Sequence, residues 1–238
     1  PLGHRLPVRL AHQEPGALRR ATGPGPPRRG EHMRRAWSAT AAGYGVALLT
    51  TAAWGPGAIR YDASLPSALA IDVAMNACIA AGAVLFAAAW GRAGLDLAGG
   101  RWAGAATAAG AVALALAPNA PGLRDALAQI RAGELRGWDT LASVGGDTVA
   151  FAAGVPLLRM AFALRGSPLA PTWLLLGSAD LSRVVYDWLY GLAEAAPACR
   201  PWMHALMVAA LTGAGCAAAT HRRTVRAAAG AAAARAAA

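Results

Sequence analysis

The sequence predicts an all-α integral membrane protein, a bundle of six transmembrane helices with both termini cytoplasmic. Three observations carry this. The 238 residues are 56% hydrophobic and only 14% charged, where a soluble domain carries nearer to about a quarter. The apolar residues are largely Ala, Leu, Val and Gly, set in long runs rather than at amphipathic spacing. Seven of the eight Trp residues (37, 54, 90, 102, 173, 188 and 202) stand at or near the ends of those runs, where an interfacial aromatic belt is expected. In hydrocarbon the backbone must satisfy its own hydrogen bonds, and runs of this length do so as helices.

Residues 1–32 are rich in Pro, Gly and Arg and have no apolar period. They read as disordered, and Met33-Arg34-Arg35 before Trp37 looks like a natural start. A basic, disordered arm is therefore expected over residues 1–35, with eight Arg against Glu14 and Glu31. No aromatics interleave its arginines, so nucleic acid is not an expected partner. Six apolar segments follow, Trp37–Trp54, Ala68–Trp90, Trp102–Pro118, Asp147–Leu164, Thr172–Leu192 and Trp202–Thr220, and together they make a membrane domain over residues 36–220. A short Arg/Ala-rich tail, residues 221–238, is expected in the cytoplasm.

Orientation rests on arginine alone, since the chain has no Lys. With the N-terminus inside, the inner flanks carry Arg34, Arg35, Arg92, Arg101, Arg159, Arg165, Arg222, Arg223 and Arg226. The outer flanks carry Arg60, Arg124, Arg131, Arg136 and Arg200. The excess inside favours this placement, in a bacterial inner membrane. The missing Lys also excludes a retinal Schiff base, a pyridoxal site and a P-loop, which need one. Cys78, Cys199 and Cys216 are isolated, without CxxC or ligand spacing, and no metal or cofactor is expected.

The third segment, WAGAATAAGAVALALAP, is built of small residues that let helices approach closely, so it is expected inside the bundle. Gly43 with Gly45, and Gly213 with Gly215, suggest further close approaches. Pro156 is expected to kink the fourth segment. In the long connection Asn119–Gly146, Leu123, Leu127, Ile130, Trp138 and Leu141 recur near helical spacing. They predict a short amphipathic helix on the outer surface, as a resting loop or as a lid over a cavity.

The fifth segment holds Asp180, Arg183 and Asp187 on one helical face. An ionisable group at membrane depth costs at least ~2.5–3.5 kcal/mol and marks a functional site by default. The alternating topology puts Asp72, Asn76, Asp147, Arg183, Asp187, Tyr190 and His204 in the outer half of the bilayer, with Asp180 nearer the midplane as a structural charge. Two readings stand. The groups pair with one another as structural glue, Arg183 clamped between Asp180 and Asp187. Alternatively they line an outward polar pocket for a small molecule or a proton, with His204 as a switch if it lies near Asp147 or Asp187. Tyr186-Asp187 and Gly145-Gly146-Asp147 evoke an intramembrane aspartyl protease, but position 144 is Val and the order is reversed. No HExxH, GxSxG or His/Cys cluster appears, so no catalysis is expected.

From Gly145 onward the chain resembles the multi-span input regions that precede bacterial histidine kinases and diguanylate cyclases. Gly146-Asp147 opens a segment, LRGSPLAPTW forms a basic-polar turn, and Gly177, Asp180 and Tyr186 follow. The resemblance covers roughly residues 139–226 and implies signal reception across the membrane. The residues after the last segment are too few for a catalytic module, which leaves either a severed or stand-alone input domain, served by a separate cytoplasmic signalling partner, or a likeness of architecture alone. The alternative function is a small transporter or an accessory subunit of a membrane complex.

Overall fold

A computed structural model describes residues 29–55, 62–92, 100–192 and 196–237. Most of the basic arm lies outside these residues. The described chain is helical throughout, with seven α-helices: α1 Arg29–Trp54, α2 Pro66–Arg92, α3 Gly100–Leu116, α4 Ala120–Arg131, α5 Leu135–Ala163, α6 Ala170–Leu192 and α7 Arg200–Ala237. Short 3₁₀ turns at Ala117–Asn119 and Pro197–Cys199 lead into α4 and α7.

By length and composition four helical stretches can cross a membrane: Pro66–Trp90, Gly104–Arg131, Leu135–Phe162 and Pro197–Ala236. The chain is thus a helical membrane protein. Helices also form over the other two segments expected to span, α1 and α6. The first opens on Arg29, Glu31, Arg34 and Arg35, and the second carries Asp180, Arg183 and Asp187.

Two helix starts differ markedly from the sequence expectation. The first helix begins at Arg29, so the last residues assigned to the disordered arm are helical. Glu31 in its first turn accepts an ion pair from Arg35 one turn on, the favourable order for a helix N-terminus. The fifth helix begins at Leu135 rather than Asp147. Arg136, Asp139 and Thr140 lower the hydropathy of its first turns, which hides the helix from a search for apolar runs. Trp138 and Leu141 therefore belong to α5, and the amphipathic helix is α4 alone. A tight turn joins the two, with Gly133 at φ 81°, a left-handed conformation that glycine takes without a Cβ penalty.

The hub of the bundle is α5, which packs against α2, α3, α4 and α6, while α1 lies on α2 and α7 on α6. Backbones meet closely where glycine permits it. A Cβ on Gly82 of α2 would stand 2.1 Å from Thr40 Oγ1 of α1, and one on Gly146 of α5 would stand 2.7 Å from Asn76 Cβ of α2. Gly43 and Gly213 also make close approaches, whereas Gly45 and Gly215 face open space. Helix α5 continues through Pro156 without a break.

The expectation for the third segment is overturned. Helix α3 lies at the periphery, packed on α5 through Ala111 and Ala115, while Leu114 is 58% exposed. Small side chains permit close packing but supply little area to hold it. A hydrogen bond from Arg159 Nη1 of α5 to Thr107 Oγ1, 2.7 Å long, ties the two helices.

The tryptophans depart from a lipid-facing belt in a similar way. At one end of the bundle Trp37, Phe86, Trp90 and Trp173 form a cluster across α1, α2 and α6, joined by His221 of α7. The Trp90 and Trp173 rings meet edge to face at 4.4 Å, and Trp173 is only 3% exposed. Such edge-to-face pairs add about 0.5–1.5 kcal/mol each beyond the area they bury. By contrast Trp138 and Trp202 are exposed.

Candidate functional site

The opposite end of the bundle is polar. It is built where α1, α3 and α6 end and where α2, α4, α5 and α7 begin, an outcome of the alternating direction of successive helices. The C-terminal half of α6 supplies Arg183, Tyr186, Asp187 and Tyr190, and the N-terminal half of α5 supplies Arg136, Asp139 and Asp147. Asp72 stands two turns into α2, and the turn before that helix holds Asp62 and Ser64. All of these line one cavity of about 540 Å³. Pockets that enclose small molecules run roughly 300–1,000 Å³.

Among the described residues Arg183 is the largest fully buried side chain, 2% exposed. It forms an ion pair with Asp147 across the α5–α6 interface, and its Nη1 lies 3.1 Å from Asp187 Oδ2 one turn along α6. An isolated guanidinium in this place would carry a desolvation cost of several kcal/mol, which the two carboxylates offset. Among the described residues its Nε–H finds no hydrogen-bond acceptor. Asp180 is not its clamp. The phenol of Tyr44 on α1 donates to Asp180 Oδ1 at 2.8 Å, so this deeper carboxylate fastens α6 to α1 instead.

Asp72 is held by its own helix. Asn76 Nδ2 donates to the Asp72 carbonyl oxygen at 3.1 Å and to Asp72 Oδ2 at 2.9 Å. Among the described residues no cationic side chain stands within ion-pair distance of Asp72. Asn76 itself is buried against Gly146 behind the cavity wall, and its Oδ1 has no donor. In the turn before α2, Asp62 Oδ1 accepts hydrogen bonds from the Ser64 backbone N–H at 2.9 Å and from Ser64 Oγ at 2.6 Å. The Ser64 hydroxyl, and after it the backbone N–H, hold the Asp62 carboxyl below its usual value.

Five of the seven residues singled out as a pocket from sequence line this cavity: Asp72, Asp147, Arg183, Asp187 and Tyr190. Asn76 stands behind the wall. His204, half-buried on α7, is absent from the lining, and among the described residues no carboxylate lies within ion-pair distance of it. It therefore has no place as a switch on Asp147 or Asp187. Sequence reasoning missed Asp62, Arg136, Asp139 and Tyr186 as cavity residues, and Tyr44 as the partner of Asp180. For Asp139 and Arg136 the unseen start of α5 was the missing signal. For Tyr44 the signal was present, a lone phenol between Gly43 and Gly45 in an apolar run.

Among the described residues the lining holds five aspartates and two arginines. Such a surface is acidic, bounded by low-dielectric helices that strengthen its field. Hydroxyl groups of Ser143, Tyr186 and Tyr190, with the amide of Asn119, add hydrogen-bonding capacity. Among the described residues no group of three or more His, Cys, Asp or Glu has the geometry of a metal site. No protein-family model, curated protein or solved structure matches the chain.

Proposed function

We propose that this protein is a ligand-binding membrane domain of the sensory type, with six transmembrane helices, both ends in the cytoplasm and the acidic cavity open to the outside of a bacterial inner membrane. In this reading α4 lies at the outer surface, and α1 and α6 cross the bilayer with their charges turned into the bundle. The observation that carries the proposal is the cavity itself, about 540 Å³ at one polar end, walled by charges that α5 and α6 hold in fixed pairs. The other end is filled by the Trp37, Phe86, Trp90 and Trp173 cluster, which supports binding over permeation and places the transporter reading second. No reaction is assigned to the chain. Signal passes along α6 and α7 to a separate cytoplasmic partner.

A thermal-shift screen of the full chain in lipid nanodiscs tests the reading. The compounds are small cations, neutral molecules and anions, run in parallel against Gly122→Trp and Thr51→Trp. Both positions line the cavity, and a Cβ on Gly122 meets no neighbour, so these two substitutions are chosen to plug the cavity from different helices. Stabilisation of the wild type by at least one compound, lost in both plugged variants, is expected. No shift from any compound class, or equal shifts in the plugged variants, would reject the pocket.

A further inference from the structure

The ligand class follows from how the charges in the cavity are already committed. Arg183 is shared between Asp147 and Asp187, so the positive charge deepest in the cavity is spent on two carboxylates. Asp72 faces the same cavity with only the neutral amide of Asn76 beside it. An anion entering here would meet more aspartates than arginines, and a neutral molecule would leave Asp72 without a counter-charge. A protonated amine supplies one. Across the cavity Tyr186 and Tyr190 stack with ring centroids 6.3 Å apart, an aromatic wall of the kind that also attracts a cation.

A second observation adds a group to the ligand. Arg183 lines the cavity, is 2% exposed, and its Nε–H lacks an acceptor. A buried donor without a partner is costly and is met in native sites by water or by a ligand oxygen. The guanidinium already bears two carboxylates, so a neutral oxygen, a hydroxyl or an ether, suits it better than a third anion.

From these observations we infer that the cavity takes a small organic cation, a protonated amine that also carries a hydroxyl or ether oxygen, with the ammonium against Asp72 and the oxygen toward Arg183. This rests on the reading of the cavity as a ligand pocket and sharpens it to one chemical class.

Matched probes separate the two claims. Calorimetric titration of the full chain in nanodiscs would use 1,3-diaminopropan-2-ol and glucosamine as the amines, glycerol and glucose as neutral counterparts, and tartronate and glucuronate as anionic ones. Binding of at least one amine is expected, with its neutral and anionic counterparts at least tenfold weaker. Asp72→Asn would raise the dissociation constant of that amine about tenfold or more, the size of one lost charge contact of roughly 1.4 kcal/mol. Asp72→Glu, which keeps the charge, would bind within a few-fold of wild type. Equal or tighter binding of a neutral or anionic probe overturns the cation assignment, as does an unchanged Asp72→Asn. If that binding is lost in Gly122→Trp, the pocket survives and only the class is wrong. Failure of all six probes overturns the assignment, and the wider screen then decides the pocket by itself.

Discussion

Arg183 and Asp147 lie 36 positions apart in the chain and form an ion pair at the centre of the α5–α6 interface, with side chains only 2% and 3% exposed. The pair does two things at once. It fixes α6 against the hub helix, and it sets the charge left over for the cavity.

Removing one member strands the other. Arg183→Met leaves Asp147 and Asp187 facing each other without a cation, and a broken buried pair costs about 3–5 kcal/mol. Arg183→Met is expected to lower the unfolding midpoint in detergent strongly. The double variant Arg183→Met/Asp147→Leu should recover a large part of that loss, since an apolar pair of similar volume can replace a buried ion pair. A double variant no more stable than Arg183→Met alone would mean that the ion pair is not what joins these helices.

The contact between Tyr44 and Asp180 predicts an order of effects. Tyr44→Phe removes the donor and leaves a buried carboxylate without its hydrogen bond, a loss of about 1.5–3 kcal/mol. Asp180→Asn keeps an acceptor oxygen for the phenol and should cost less, about 1 kcal/mol or below. Equilibrium unfolding followed by tryptophan fluorescence would read the difference, and the reverse order would exclude Asp180 as the acceptor that ties α6 to α1.

The glycines divide into two sets by their surroundings. Gly82→Ala drives a methyl group onto Thr40 and Gly146→Ala drives one onto Asn76, and overpacking of this kind costs typically about 1–3 kcal/mol. Gly104→Ala and Gly110→Ala meet open space and should be neutral or stabilising by up to about 1 kcal/mol. Four melting curves suffice to check this. Equal destabilisation by all four substitutions would argue against the packing of α1 on α2 and of α2 on α5 described above.

Helix α3 should be held more weakly than α5, because it lies at the edge of the bundle and packs on α5 through small side chains and a hydrogen bond from Arg159. Hydrogen exchange in nanodiscs is expected to be faster in α3 than in α5, and Thr107→Val should speed it further. Unchanged exchange in Thr107→Val would assign the anchoring to the alanine contacts alone.

At the rim of the cavity, Asp62 titrates below the usual carboxylate value because Ser64 donates to its charged form. A depressed carboxyl favours the folded turn above its unfolded value, and this preference fades as pH falls through the folded value. Ser64→Ala should therefore move the Asp62 titration, followed by NMR of a carboxyl-labelled sample, back up toward the ordinary range. No upward movement would show that the backbone N–H alone holds the charge.

The helical class and most of the segments were legible in the sequence because apolar runs long enough for a bilayer leave few alternatives to a helix. Charge at depth was legible too. Asp147, Arg183 and Asp187 could be singled out because each interrupts, or opens, an apolar run. Pairing was harder to read. Spacing along α6 suggested Asp180 as a partner of Arg183, but a helix neighbour competes with residues on other helices, and Asp147 and Tyr44 come from α5 and α1. Placement of α3 failed for a related reason, since small residues make close packing possible without saying whether a neighbour is there. Trp37, Trp90 and Trp173 do gather at one end of the bundle, but the direction in which each indole turns depends on contacts no single segment contains.

Helix α7 touches the cavity through Met207 near its first turns and continues unbroken to Ala237, 38 residues in all. At 1.5 Å per residue it is a rod of roughly 57 Å, nearly twice the thickness of the hydrocarbon layer. A rod pivoting near one end amplifies displacement in proportion to its length. A tilt of about 5° at the methionine sweeps the far end, about 45 Å away, through roughly 4 Å. In the sensory reading proposed above, small adjustments around an occupied cavity would thus arrive at the far end of α7 as movements on the scale of a side chain.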